Sequence, residues 1–174
     1  CPDLTDMERR RLEGVDYQGI VCASVLLPYA LSPYYVTNIT DTWVPFTGVI
    51  EMTALVDPAE LNGRHLVYLP KYLDPGAELM SASDDEVRDR FLGALDRMYP
   101  QFSPADVQAF EISRVKYVFP IPTLDYSARV PPMRTTVPGL SLVNSAQILN
   151  GTLNINETLL LAERGANAVL EGAR

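Results

Sequence analysis

The segment from Tyr17 to Leu27 constrains the fold more than any other part of the sequence. It carries no charged side chain and is rich in isoleucine, valine and leucine. Such a run is too short and too β-branched for a lone surface helix, so it predicts a buried strand. Further strands are predicted at 36–42, 48–56, 66–69 and 110–119. Strands clustered before residue 120 with helices between them predict an α+β fold, with a mainly antiparallel or mixed sheet flanked by helices.

Two capping boxes indicate where helices begin. In each, a hydroxyl residue is followed three positions later by glutamate, and the two side chains satisfy each other's free backbone amides: Thr5 with Glu8, and Ser83 with Glu86. Gly14 is predicted to end the first helix in a left-handed conformation. Behind Ser83, apolar side chains recur at helical spacing, at positions 87, 91, 95 and 98.

Composition and charge exclude several classes of function. The 174 residues include 14 basic and 22 acidic side chains, for a formal net charge of −8. This acidic surplus opposes sequence-independent binding to nucleic acid or to anionic lipid, because both depend on lysine and arginine. No apolar run approaches the roughly 20 residues that a membrane span needs. The length predicts one domain, or two small ones.

The first residue is Cys1 rather than methionine, which leaves three explanations open. The chain is a piece of a longer protein, a mature secreted form, or a lipoprotein anchored through this cysteine, and we expect the first. Sequons at Asn38, Asn150 and Asn156 would matter only in a secretory compartment, and we expect them to be unused in a cytoplasmic protein. The single histidine, His65, has no neighbours at a metal-site spacing, so no metal ligand is predicted.

A polar loop near the carboxyl end is the strongest candidate for a binding site. A short strand at 140–143 is predicted to lead into it, and a helix at 157–170, weakened by Gly165, is predicted to follow. Asn154 or Asn156 can cap that helix, and Gly151 lets the backbone approach a ligand closely. The helix start would favour a partner with negative charge.

The same residues resemble a known family. Val137–Ser145, Asn150–Glu157 and Leu161–Ala166 are similar to the carboxy-terminal FAD-binding segment of the amine oxidase-like flavoproteins. This superfamily includes protoporphyrinogen oxidase-like and phytoene desaturase-like enzymes, and the UDP-galactopyranose mutases are related to it. The resemblance implies a substrate domain at 1–136 and a strand–loop–helix at 137–174 that would complete an FAD-binding domain, with the helix start pointing at the flavin.

The resemblance also implies which residues contact FAD. They are Asn144, Ser145, Gln147, Gly151, Thr152, Leu153, Asn154 and Ile155. Many relatives have a carboxylate after the strand, and this chain has none, so Asn144 or Gln147 would bond the ribityl hydroxyls instead. No G-x-G-x-x-G follows any strand, so the Rossmann nucleotide-binding half is missing. We therefore expect a carboxy-terminal portion that binds FAD weakly or not at all without the missing amino-terminal portion of the same protein.

On the substrate side, the resemblance favours Tyr117 and Tyr126, because the family lines its flavin face with aromatic residues, and Arg134 could meet an anionic group. The expected activity is oxidation of an unidentified small substrate by hydride transfer to FAD, and no catalytic side chain is predicted. One alternative is a flavin-dependent nucleotide-sugar mutase, for which Arg114, Arg129 and Arg134 could bind the diphosphate. The other alternative is a non-enzymatic acidic binding domain.

Overall fold

In the computed structural model, which describes residues 1–149 and 151–172, the strands form one antiparallel sheet in the order β2-β3-β4-β1-β5. The α+β class predicted from the sequence is confirmed. The strands are β1 (Tyr17–Leu27), β2 (Val36–Asn38), β3 (Gly48–Glu51), β4 (His65–Leu73) and β5 (Ala109–Pro120). The helices are α1 (Asp6–Glu13), α2 (Asp84–Met98), α3 (Tyr126–Arg129) and α4 (Ile155–Gly172).

The chain divides into two compact units. The first, which we call the sheet unit, is Gln18–Val118. The second, which we call the terminal unit, combines Cys1–Tyr17 with Phe119–Arg174. No helix in the described part of the chain is long and apolar enough to cross a membrane.

The core of the sheet unit forms because β1 alternates between two faces. Val21, Ala23, Val25 and Leu27 point to one face and are fully buried, while the residues between them are half-buried on the other face. Strand side chains alternate with a period of two, so one apolar stripe suffices to bury a face. The predicted bounds of β1 are confirmed.

Helix α2 covers this buried face. Its residues Val87, Phe91 and Leu95 are fully buried, and the ring of Phe91 meets that of Phe46 edge-on at 5.4 Å between centroids. Ser83 caps the helix by accepting the Glu86 amide at 3.2 Å. Of the predicted capping box, only the bond to the Ser83 side chain forms, because the Glu86 carboxylate pairs with Arg90 one turn later.

The ends of the other strands differ from the sequence predictions, because partner strands decide where pairing stops. The strand predicted at 36–42 ends at Asn38, and the one predicted at 48–56 ends at Glu51, where 3-10 turns follow. The strand predicted at 66–69 is longer, at His65–Leu73, since β1 pairs with all of it. The strand predicted at 140–143 is wrong: only an isolated bridge between Arg134 and Ser141 forms there.

The terminal unit begins with α1, whose predicted capping box between Thr5 and Glu8 is confirmed. Gly14 ends this helix with a φ of −82°, so the predicted left-handed conformation is wrong. The Glu8 carboxylate also accepts the amide and the hydroxyl of Thr136, both at 2.6 Å. One side chain thus joins the first helix to a segment far along the sequence.

Helix α4 packs within the terminal unit through Leu161 and Gly165. Leu161 is buried, at 3% exposure, and a Cβ added at Gly165 would lie 2.7 Å from Cγ2 of Val143. The glycine that weakens the helix in the sequence is therefore what allows the helix to approach Val143 closely.

Replacing Gly165 with alanine is expected to lower the free energy of unfolding of the terminal unit by about 1–3 kcal/mol, because the added methyl overpacks against Val143. The matched control is Gly93→Ala in α2, where an added Cβ meets no atom within 4 Å and helix propensity predicts a gain of up to about 1 kcal/mol. Urea unfolding followed by circular dichroism measures both variants. Equal effects of the two substitutions would contradict this packing.

Hydrogen bonds from the Thr136 and Thr5 side chains and from the Thr136 amide lower the pKa of Glu8 from 4.5 to about 2. A depressed carboxyl pKa stabilises the fold above pH 4.5, and this stabilisation is lost as the pH falls toward 2. Thr136→Val removes the hydroxyl and is expected to raise the Glu8 pKa in a carboxyl NMR titration. Thr40→Val, an exposed threonine of the sheet unit, should leave it unchanged. An unaltered titration in Thr136→Val would refute the bond.

Candidate functional site

The polar loop of the terminal unit is built around a short 3-10 turn at Ser145–Gln147. Asn144 Oδ1 accepts the Ala146 amide at 3.0 Å, and Gln147 Oε1 accepts the Asn144 amide at 3.0 Å. These two bonds make a capping box that fixes the loop locally. Ser145 is half-buried and Asn144 is exposed.

Gln147 holds the loop to its surroundings. It is 7% exposed, and its Nε2 donates to the carbonyl oxygens of Pro131 at 3.1 Å and Leu142 at 3.0 Å. With Oε1 on Asn144, both donors and the acceptor of the side chain are engaged within the unit. Gln147 therefore orders the backbone of the loop rather than presenting polar atoms to a ligand.

Tyr126 forms another contact that holds the same loop. It is 6% exposed, and its hydroxyl donates to the Ala146 carbonyl oxygen at 2.8 Å. Burial raises the pKa of Tyr126, and the nearby Tyr17 hydroxyl raises it further. Tyr126, which the sequence predicts to contact substrate, is thus a buried side chain that holds the polar loop through a hydrogen bond.

The start of α4 is capped as the sequence predicts. Asn154 Oδ1 accepts the Glu157 amide at 2.9 Å, and the Thr158 hydroxyl donates to the Asn154 carbonyl oxygen at 2.8 Å. Gly151 has a φ of 122°, and a Cβ there would lie 3.1 Å from the Glu157 carboxyl carbon, so glycine is required. Asn150 lies outside the described residues.

The residues around this helix start are open to ligands. Thr152, Leu153, Asn154 and Ile155 are all exposed. A cleft beneath the loop, bounded in part by Tyr126, Ser145 and Gly151, has a volume of about 30 Å³. That volume holds one or two water molecules and no ring system. The cleft is therefore too small to hold a cofactor of flavin size.

The arginines named from the sequence are each engaged within their own unit. Arg114 bonds Asp84 at 2.6 Å and the Ala82 carbonyl oxygen at 2.9 Å. Arg129 bonds Thr123 and the Leu124 carbonyl oxygen, and Arg134 bonds the Ala168 carbonyl oxygen at 2.6 Å. Tyr117 lies on β5 and is 69% exposed.

The sheet unit has a second candidate site that the sequence analysis missed. We call it the open face, the side of the sheet opposite α2. A depression of about 360 Å³ lies there, lined by Ile20, Cys22, Val36, Asn38, Thr47, Gly48, Ile50, Tyr68, Pro70 and Tyr72. None of these side chains carries a charge, and burial raises the pKa of the Cys22 thiol.

The signal for the open face was present in the sequence. Ile20 and Cys22 alternate with the buried stripe of β1, and Tyr68, Pro70 and Tyr72 alternate in the same way on β4. Strand register places Cys22 opposite Pro70 and Ile50 opposite Tyr68. A strand that is apolar on both faces is typical of a sheet that is covered on both sides. Only the register between neighbouring strands shows which of these side chains lie together on one face.

Among the described residues, no group of three histidine, cysteine, aspartate or glutamate side chains could hold a metal ion. His65 Nδ1 instead lies 3.1 Å from the Thr53 hydroxyl.

The fold is similar to part of two longer solved structures. One is a crystal structure from Exiguobacterium sp. 255-15 of a protein assigned as a protoporphyrinogen oxidase, with 15% identity and a TM-score of 0.65 over 95% of this chain. Another is an oxidoreductase from Methanosarcina mazei, with 17% identity and a TM-score of 0.59 over 94% of this chain. This chain spans 38% and 36% of their lengths.

At these identities, the likeness concerns the fold alone. A scan against protein-family models finds no match, and a search of curated proteins finds no similar sequence.

Tyr126→Phe is expected to lower the free energy of unfolding of the terminal unit by about 1–3 kcal/mol, because the buried Ala146 carbonyl oxygen loses its donor. Urea unfolding measures the loss, and amide hydrogen exchange at residues 145–148 should accelerate with it. The control is Tyr34→Phe on the largely exposed Tyr34, 68% accessible, which should change neither quantity. Unchanged exchange in Tyr126→Phe would show that the loop does not depend on this bond.

Proposed function

We propose that this chain is the carboxy-terminal portion of an FAD-dependent oxidoreductase of the amine oxidase-like group, which oxidises a small substrate by hydride transfer to the flavin. The observation that carries the proposal is the likeness of fold over nearly the whole chain to two longer proteins, one assigned as a protoporphyrinogen oxidase and one described as an oxidoreductase. The cytoplasmic location expected from the sequence is part of the same proposal.

The terminal unit offers a place for the flavin. Bound FAD would accept the hydride, and the protein would supply orientation and electrostatics. Thr152, Leu153, Asn154 and Ile155 surround the exposed start of α4, where the partial positive charge of the helix would stabilise negative charge on the flavin pyrimidine ring. Backbone amides, an amide side chain and a hydroxyl fit the polar edge of that ring. Asn144 and Ser145 lie in the adjoining loop, which Gln147 orders.

The rest of a longer protein would cover α4. Side chains on this helix are 51–78% exposed although they are large and apolar: Ile155, Leu159, Leu160, Val169 and Leu170. Apolar surface of this kind is typical of a contact with another part of a protein. We propose that the missing amino-terminal, nucleotide-binding portion packs there, so that residues 137–174 complete an FAD-binding domain and residues 1–136 contribute the substrate side.

The open face restricts what the substrate can be. A face without charged side chains favours an uncharged, apolar part of a substrate, which the rings of Tyr68 and Tyr72 could stack against. The mutase alternative requires arginines for a diphosphate, and Arg114, Arg129 and Arg134 already bond groups within their units. These engagements favour the oxidoreductase over the mutase.

The experiment uses the full-length protein, encoded by the whole reading frame. It is expected to copurify with FAD, and a stripped preparation should rebind FAD in a fluorescence titration. Ile155→Glu places a negative charge at the start of α4 and is expected to weaken FAD binding at least about tenfold, equivalent to about 1.4 kcal/mol, and to make the flavin harder to reduce. The matched control, Asn167→Glu, adds the same charge about three turns beyond the helix start and should bind FAD normally.

Three outcomes would contradict the proposal. A full-length protein that never carries flavin would favour the acidic binding domain, especially if native material shows glycan mass at Asn38 or Asn156. Equal FAD affinity in Ile155→Glu and Asn167→Glu would show that the start of α4 does not contact FAD. Turnover of a nucleotide sugar without consumption of an electron acceptor would favour the mutase, whereas stoichiometric reduction of an acceptor supports the oxidoreductase.

A further inference from the structure

Of the described acidic side chains, Glu51 is the one that the fold buries, at 1% exposure. It ends β3 and points to the same side of the sheet as Val49, toward the core beneath α2. A buried ionised carboxylate is costly unless hydrogen bonds satisfy both of its oxygens. The partners of Glu51 therefore decide what this residue does.

The two carboxylate oxygens of Glu51 differ in their hydrogen-bond partners. Oε2 accepts the amides of Leu31 at 2.7 Å and Ser32 at 3.0 Å. Oε1 has no hydrogen-bond partner among the described residues. The Glu51 amide in turn donates to the Tyr35 carbonyl oxygen at 2.8 Å. One residue thus ties down both ends of the segment from Leu31 to Tyr35, which we call the tethered segment.

The tethered segment leads directly into the edge strand β2, whose first residue, Val36, lines the open face. Its own titratable side chains are Tyr34 and Tyr35. The segment has no helix or strand of its own. Besides the bonds to Glu51, it is held at Leu31, whose carbonyl oxygen accepts from Gln101 Nε2 at 2.8 Å and whose side chain is buried in the core.

The charged environment of Glu51 comes from two other elements. His65, the first residue of β4, lies near enough to lower the pKa of Glu51, and Tyr99 follows the end of α2 and is itself affected by the Glu51 charge. Burial is the largest influence and raises the pKa of Glu51 above its ordinary value, although the Ser32 and Leu31 amides and His65 oppose it. The net direction is upward.

The geometry points to Glu51 as a proton-dependent positioning residue: with a proton on Oε1 it holds the tethered segment closed, and when it loses that proton the segment opens to admit water. The proton occupies the oxygen that lacks a partner, and Oε2 continues to accept both amides. When the carboxyl ionises, the unpartnered Oε1 carries negative charge while it is buried, which is costly. Opening of the segment admits water, which hydrogen-bonds to Oε1 and removes this cost.

Linkage fixes the sign of the effect. A carboxyl whose pKa is higher in the closed state than in water favours the closed state below its ordinary pKa, and this preference is lost as the pH rises through the higher value. The opening equilibrium constant should increase about tenfold for each unit by which the closed-state pKa exceeds the value in water. This response does not depend on the proposed function, because it concerns the tethered segment alone.

Amide hydrogen exchange of the chain, measured by NMR between pH 4 and 8 and corrected for intrinsic rates, tests the proposal. Protection of the Leu31 and Ser32 amides is expected to fall as pH rises, and these amides should exchange at least about tenfold faster than that of the buried Val25. In Glu51→Gln the protection should not depend on pH. Glu60→Gln, a matched change at an exposed glutamate of the sheet unit, should keep the full dependence.

Two further measurements keep the proposal falsifiable if Glu51→Gln fails to fold. A carboxyl NMR titration of the unmodified chain should show Glu51 titrating above the ordinary range, and an ordinary value would overturn the proposal. His65→Gln should retain the pH dependence, and its loss in that variant would assign the effect to the histidine. Protection that is independent of pH, or exchange as slow as that of Val25, would show that no local opening occurs.

Discussion

The apolar contact between β1 and α2 is the interaction on which the sheet unit depends. Val21, Val25 and Leu27 of β1 meet Phe91 and Leu95 of α2 in one fully buried cluster. Each such side chain contributes about 1.5–3 kcal/mol on burial, far more than an exposed ion pair. Because this contact uses one face of the sheet, the other face stays open, and its uncharged depression is a consequence of the same arrangement.

In the described part of the terminal unit, polar bonds and a close approach between segments hold the elements together. Gln147 satisfies backbone groups at 131, 142 and 144, Tyr126 satisfies the Ala146 carbonyl oxygen, and Gly165 lets α4 lie against Val143. These contacts order the polar loop and leave the start of α4 exposed. The flavin contact that we propose would use this loop, which hydrogen bonds hold in place, and the exposed start of α4 beside it.

The site was only partly predictable from the sequence. Asn154 was foreseen as a cap because its partner, Glu157, is three residues away. The buried role of Tyr126 was not foreseen, since its partner lies 20 residues along the chain. Glu51 gave no signal in the sequence, because a glutamate at the end of an apolar strand looks the same whether it faces water or the core.

By itself, the sequence determined the features that depend on near neighbours: the strand at Tyr17–Leu27, the capping box of α1 and the capped start of α4. Their physical causes, side-chain alternation and bonds over three or four residues, are written in adjacent positions. Only the tertiary structure decided the strand ends, the need for glycine at 165 and the burial of Glu51. Each of these rests on a contact between segments distant in sequence, and chain topology rather than local preference brings such segments together.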